Sequence, residues 1–355
     1  MKARMLLLAA VCAVSLAFYA QQTATPINEL KAIATVEVSA IGSSSANRWP
    51  ICDSAGNVYT RQLEPEMKDR QQRAALPIDE ISPAGVLVRT YRVTDAFASE
   101  VSGNGVAVLG KGVFVTGDGR VYQAALVHSD IFVVEFARDG SVKAKTKLMT
   151  NSFMQPWHLA VFDEGEYLLT ATAGKDNLSP FTGVFAADGR LIKSIYEPED
   201  EEAKQRSSPT DWSAPGNGGN GGTDFVSYGD VTIGSDGNAY LLHGTTSPGL
   251  IYVISPRGDV VRKFRVEVGN RDLIARSIKS YSGLLAVQFD KSVDVDSGQN
   301  LISVSDLLGN PKATYRMWPV VGNHSLFLAG FGRDGLTFLP YFTEDKLYLV
   351  RTKLP

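Results

Sequence analysis

Eleven short turns centred on glycine punctuate this chain, and they fall into two alternating sets. The first set has six members: Ser54-Ala55-Gly56-Asn57, Gly117-Asp118-Gly119-Arg120, Asp163-Glu164-Gly165-Glu166, Ser235-Asp236-Gly237-Asn238, Tyr281-Ser282-Gly283 and Arg333-Asp334-Gly335. The second has five: Pro83-Ala84-Gly85, Arg138-Asp139-Gly140, Ala187-Asp188-Gly189, Pro256-Arg257-Gly258 and Leu308-Gly309-Asn310. Short apolar or alternating runs flank each turn, which is the pattern of a β-hairpin. Hairpins in strict alternation along most of a chain define a repeat, and a repeat restricts the fold to an array of one supersecondary unit.

The unit is clearest in residues 230–243 followed by 250–266, which read strand, turn, strand, loop, strand, turn, strand. Residues 113–122 with 131–143, and 159–169 with 183–193, repeat it. Four antiparallel strands at this period make one blade of a β-propeller. With the strands of a blade lettered a to d from the axis outwards, the first turn set joins a to b and the second joins c to d. The counts then give six blades and leave the last without a d strand after its c strand at 346–354. Residues 32–40 form a strand with no partner of their own. Placed beside 346–354, that strand closes the ring and removes an open edge. The expected fold is therefore all-β: a six-bladed β-propeller of four-stranded blades, spanning 32–355 as one domain, with the N-terminal strand closing the last blade.

Two recurring patterns carry a family resemblance. One runs hydrophobic-x-x-Asp-Gly-Asn-x-Tyr, as in Ile233-Gly234-Ser235-Asp236-Gly237-Asn238-Ala239-Tyr240; the other is Asp/Arg-Gly-x-hydrophobic, as in Arg257-Gly258-Asp259-Val260 and Asp139-Gly140-Ser141-Val142. In these the chain resembles the six-bladed propellers of the NHL-repeat and gluconolactonase-like superfamily. The motifs specify turns rather than chemistry, so they speak to fold and not to activity. Lactonases of that superfamily hold a divalent cation in the central channel, but their Glu-rich first blade has no counterpart here.

At the N-terminus, Lys2 and Arg4 precede an apolar stretch, 5–16, of signal-peptide length. Ser15 and Ala17 suit cleavage after residue 17, with 20 as the later choice, and residues 18–31 then form a linker. Loss of Lys2 and Arg4 takes the formal charge from −3 to −5. That mild acidity argues against nucleic acid as a partner. No later segment is long and apolar enough to span a membrane. The expected location is the periplasm or the exterior. The mature chain keeps Cys52 alone, inside an apolar strand, where a buried thiol is the simplest reading.

The a–b and c–d turns are tight, so length varies only in the b–c and d–a connections, which emerge on one face of a propeller. Long examples are 61–80, with helical character at 64–75, then 174–180, 196–225 and 291–299. Long loops gathered on one face of a rigid scaffold commonly carry function. The glycines and acidic run of 196–225 predict a loop that does not hold one conformation.

Residues seven or eight positions before each a–b glycine should begin the innermost strands and line the channel mouth on that face. Among them are Arg48, Trp49, Lys111, Trp157, His158, Asp230 and Arg276. Asp230 is the one carboxylate in that register, whereas a hard cation prefers several oxygen ligands. Cationic and aromatic groups there favour an anionic or sugar-like ligand. The candidate ligand-binding set is Arg48, Trp49, Trp157, His158, Asp230 and Arg276, with no catalytic and no metal-ligating residue. His324 is a further histidine on this rim. Asp290, Asp294 and Asp296 have a spacing that calcium can use, but without a later glutamate they fall short of a calcium loop. The sequence thus reads as an exported propeller that binds a small molecule or a protein partner at the loop-rich face without chemistry and without a cofactor, calcium being the one ion weighed. Two alternatives stand beside it: a metal-dependent hydrolase or lactonase that uses the same channel, and a structural or scaffold protein of the cell envelope.

Overall fold

In the a strands the chain runs along the axis of a ring, and successive strands step outwards from it. The computed structural model describes residues 26–38, 45–63, 76–101, 108–150, 153–174, 179–197, 224–225, 230–243, 247–270, 272–290, 300–317, 326–332, 335–340, 342–343 and 347–354. Blade 1 comprises Ser45–Cys52, Val58–Leu63, Ile78–Ile81 and Leu87–Tyr91; blade 2 comprises Val108–Val115, Val121–Val127, Asp130–Phe136 and Val142–Leu148. Blade 3 comprises Met154–Val161, Tyr167–Ala173, Ser179–Phe185 and Leu191–Ser194; blade 4 comprises Val231–Ile233, Ala239–His243, Gly249–Ile254 and Val260–Val266. Blade 5 comprises Ile274–Tyr281, Leu284–Asp290, Asn300–Asp306 and Pro311–Met317. Blade 6 takes Leu326–Phe331, Leu336–Pro340 and Tyr348–Thr352 from the C-terminal part of the chain and Ala32–Glu37 from the N-terminal part. The first strands of neighbouring blades pack on one another, which makes them the inner ring.

Burial explains the sequence pattern strand by strand. Every residue of the b strand Val121–Val127 is buried, because its two faces meet two neighbouring blades. Such strands read as unbroken apolar runs. The outer strand Val260–Val266 instead alternates between half-buried and exposed positions up to buried Val266. The core lies between blades rather than within them. Tyr91, Val121 and Phe136 fill the junction of blades 1 and 2, for example, and Leu242, Ile251 and Phe289 that of blades 4 and 5.

Ring closure is as the turn counts require. Ala32–Glu37 pairs antiparallel with Tyr348–Thr352, with Thr35 opposite Val350. The following Val38 is buried beside Val58 and Ile81 of blade 1. A second closure lies at the inner ring, where Phe342–Thr343 pairs with Ala46 and Ser45 of blade 1. The linker expected before residue 32 is itself partly a strand: Ile27–Leu30 pairs parallel with the outer strand of blade 5, and Leu30 is buried there. The change of blade falls at Lys31, between the two strands.

Nine of the tight turns are built alike. In blade 1 the amide of Gly56 donates to the carbonyl of Asp53, and Asp53 and Asn57 close the hairpin, with Gly56 at φ 85°. This is a tight turn followed by a left-handed residue, which glycine adopts without steric cost. Two further features lay outside the sequence pattern. Val93–Phe97 forms a 3-10 turn and Ala98–Val101 a short helix in the connection from blade 1 to blade 2, with Phe97 buried. The base of the long 196–225 connection is a two-residue ladder of Tyr196 with Phe225 and Glu197 with Asp224. The expected helix at 64–75 and the expected mobile interior of 196–225 lie outside the described residues.

Candidate ligand-binding site on the propeller axis

Five of the six inner strands carry a β-bulge at one repeated position. The a–b register slips between Arg48 and Ile51, Gly110 and Val113, Pro156 and His158, Ala275 and Ser277, and Leu328 and Gly330. Each slip lies at or beside the position seven residues before the a–b glycine. A bulge inserts a residue without a cross-strand partner and re-aims its side chain. Trp157 and Arg276 are the inserted residues of blades 3 and 5. Trp157 is 38 % exposed, and its indole Nε1–H donates to Thr172 Oγ1 at 3.1 Å. Arg276 is half-buried, and its Nε–H donates to Asp290 Oδ1 at 2.7 Å. Burial raises the Asp290 pKa, against the pull of Arg276.

Asp230 is buried between blades 4 and 5. Its Oδ2 accepts from Ser277 Oγ at 2.8 Å, the amide of Ile278 at 3.0 Å and Lys279 Nζ at 2.8 Å, while Oδ1 accepts from the amide of Val231 at 3.0 Å. His158 of blade 3 places Nδ1 3.9 Å from Oδ1. Burial alone would raise the Asp230 pKa, but the Lys279 ammonium, His158 and the donated hydrogen bonds hold it below the usual carboxylate range. Burial pushes the His158 pKa down, Asp230 pulls it up and Lys279 pushes it down, and the net direction is down. A carboxylate offers about four lone-pair sites. Three donors converge on Oδ2 and the Val231 amide takes one site on Oδ1, so the carboxylate clamps the inner strands of blades 4 and 5.

The structure thus brings His158 and Asp230 together, sets Arg276 beside the Ser277–Lys279 segment that holds Asp230, and leaves Trp157 at the surface. Arg48 and Trp49 lie in the inner strand of blade 1, at its register slip; their side chains, with that of Lys111 and all of His324, Asp294 and Asp296, lie outside the described residues. Lys279 was not among the expected site residues. Its neighbours Ile278 and Ser277 are buried as it is, because the bulge at Arg276 breaks the alternation that would have placed it. Among the described residues no group of three or more His, Cys, Asp or Glu side chains could hold a metal ion.

A cavity of about 290 Å³ occupies the axis at the other end of the inner strands, with its rim on the tight-turn face. All six blades line it, and Lys279 is in its wall. Cys52 is also there, and burial, with the nearby Asp53 charge, pushes its thiol up to about 12, so it is not a thiolate near neutral pH.

No family model matches the sequence, and no curated protein matches it. Solved structures do resemble the fold. A Hadza microbial sialidase has 11 % identity and a TM-score of 0.52, over 87 % of this chain and 66 % of that one. A calcium-binding protein, regucalcin, from Agrobacterium tumefaciens has 10 % identity and a TM-score of 0.49, over 93 % and 97 %. A gluconolactonase-like protein has 11 % identity and a TM-score of 0.48, over 91 % and 92 %. At such identities the likeness is one of fold.

Proposed function

We propose that this chain is an exported, non-catalytic β-propeller that binds a small anionic or sugar-like ligand at the loop-rich mouth of its axis. The observation that carries the reading is the division of labour along the inner strands. Asp230 and Lys279 neutralise one another beside His158, buried between inner strands, while the bulges insert an indole and a guanidinium into those strands. Aromatic surface with a cation suits a ring that bears a carboxylate or phosphate. Arg48 and Trp49 belong to the same proposed mouth by their place in the repeat. Catalysis by a metal at this position would need several oxygen ligands, and most of the hydrogen-bonding capacity of Asp230 is taken by protein donors. Calorimetric titration with hexuronic acids and sugar phosphates tests the proposal. Arg276→Ala should weaken binding about tenfold or more; because it leaves Asp290 without its partner, the fold of the variant is checked by its circular-dichroism spectrum at a temperature below its own melting point. No binding by the unaltered chain across that panel, or equal binding by the variant, would refute it.

A further inference from the structure

The cavity on the tight-turn face lies at the other mouth from the proposed ligand site and carries different chemistry. Its rim is made of the a–b turns, and three consecutive blades place exposed polar side chains there. Asp163 of blade 3, Ser235 of blade 4, and Tyr281 and Ser282 of blade 5 all line the cavity and are exposed, and none has a hydrogen-bond partner among the described residues. Apolar wall comes from Phe114 and Phe331. Phe331 stacks on Tyr281, with ring centroids 6.0 Å apart and an interplanar angle of 28°.

The turn that presents Tyr281 is unlike its equivalents. Tyr281 pairs directly with Leu284, so Ser282 and Gly283 alone form the connection, at φ 49° and 80°. Two left-handed residues in succession make the tight hairpin type that favours Asn-Gly or Gly-Gly. A serine there is one of only two described non-glycine residues with positive φ. Non-glycine residues in that region recur at binding sites, where the conformation is retained for what it presents.

We propose that this mouth binds one neutral pyranose ring. The volume is at the small end of ligand pockets, about 300 Å³, and so fits a single ring rather than a chain. An exposed tyrosine backed by phenylalanine provides a flat apolar face for the C–H side of a sugar. The Asp163 carboxylate accepts from vicinal hydroxyls, and the serine hydroxyls both donate and accept. The charge pattern excludes an anion: Asp163 stands at the rim, and Lys279, a cation of the wall, is already paired with Asp230. This inference does not rest on the loop-rich site.

Saturation-transfer NMR with methyl α-glucoside, methyl α-galactoside and methyl α-mannoside, followed by titration of the best probe, tests it on the full chain. At least one glycoside should bind in the millimolar range. Tyr281→Ala should weaken it about tenfold and Ser282→Gly about fivefold, while Arg190→Ala, on an exposed outer turn of blade 3, leaves it unchanged. Ser282→Gly also relieves the backbone, so its melting temperature should hold or rise, and a loss of binding there cannot be a loss of fold. The proposal is overturned if no glycoside binds, if Ser282→Gly and Tyr281→Ala bind as the unaltered chain does, or if tetramethylammonium competes at the same residues and marks a cation site.

Discussion

Asp230 shows how little a residue's register says about its availability. Its place in the repeat puts it at the start of an inner strand, and it is there, but the neighbouring blade supplies three of its four donors. Removing it should leave the Lys279 ammonium buried without a counter-charge. Asp230→Ala should therefore cost about 3–5 kcal/mol, and addition of Lys279→Met should recover much of that loss. A denaturant titration in which the single variant loses less than about 1 kcal/mol would mean the pair is not the clamp described. The same cluster sets a pH dependence. His158 has a folded pKa below its ordinary value of about 6.5, so folding releases its proton and stability falls as the pH drops below that value. Asp230 has a lowered folded pKa, so its contribution is present above about pH 4 and is lost as the pH falls through the folded value. Acidification from pH 7 should lower the melting temperature through both windows. His158→Gln should flatten the upper one, and a variant with the same profile between pH 7 and 5 as the native chain would contradict this assignment.

Among the elements, the c–d turns explain why the repeat keeps its glycines. Each c–d glycine faces the outer strand of the preceding blade. A Cβ on Gly189 of blade 3 would stand 2.0 Å from the carbonyl oxygen of Lys147, and one on Gly85 of blade 1 would stand 2.3 Å from that of Glu37. Glu37 belongs to the closing strand, so blade 1 rests on Ala32–Glu37 as the other blades rest on true outer strands. Gly85→Ala combines a backbone contact with φ 77° and should destabilise by more than about 1 kcal/mol. Gly237→Ala, with open space around it and φ 76°, meets the backbone term alone and should cost less. Equal melting temperatures for the two variants would remove the case for this seating. These elements were legible in the sequence because turn glycines and apolar b strands are local signals. The Ile27–Leu30 strand was not, since its pairing is set by a distant edge of blade 5. Nor were the bulges at Trp157 and Arg276, because a bulge is decided by cross-strand register. The proposed mouth is legible in the sequence only as a set of positions, and the paired state of Asp230 depends on Lys279, 49 residues away.

For the whole molecule, three features follow the axis: the proposed ligand mouth, a buried ion pair between inner strands, and a cavity at the tight-turn mouth. Closure by the N-terminal strand makes the ring one unit. Deletion of residues 33–38 should expose Leu347, Leu349 and Val58 and abolish cooperative unfolding near the native melting temperature. Calorimetry showing an unchanged transition would contradict ring closure. The claim on which the functional reading turns is that the axial carboxylate is committed to protein donors. Metal analysis of the native chain, purified without chelator, tests it most directly, together with melting in the presence and absence of EDTA. The account predicts far less than one equivalent of any divalent cation per chain and no shift of the melting temperature with EDTA. One tightly held equivalent of calcium or zinc, whose removal lowers the melting temperature and which Asp230→Asn fails to retain, would contradict it.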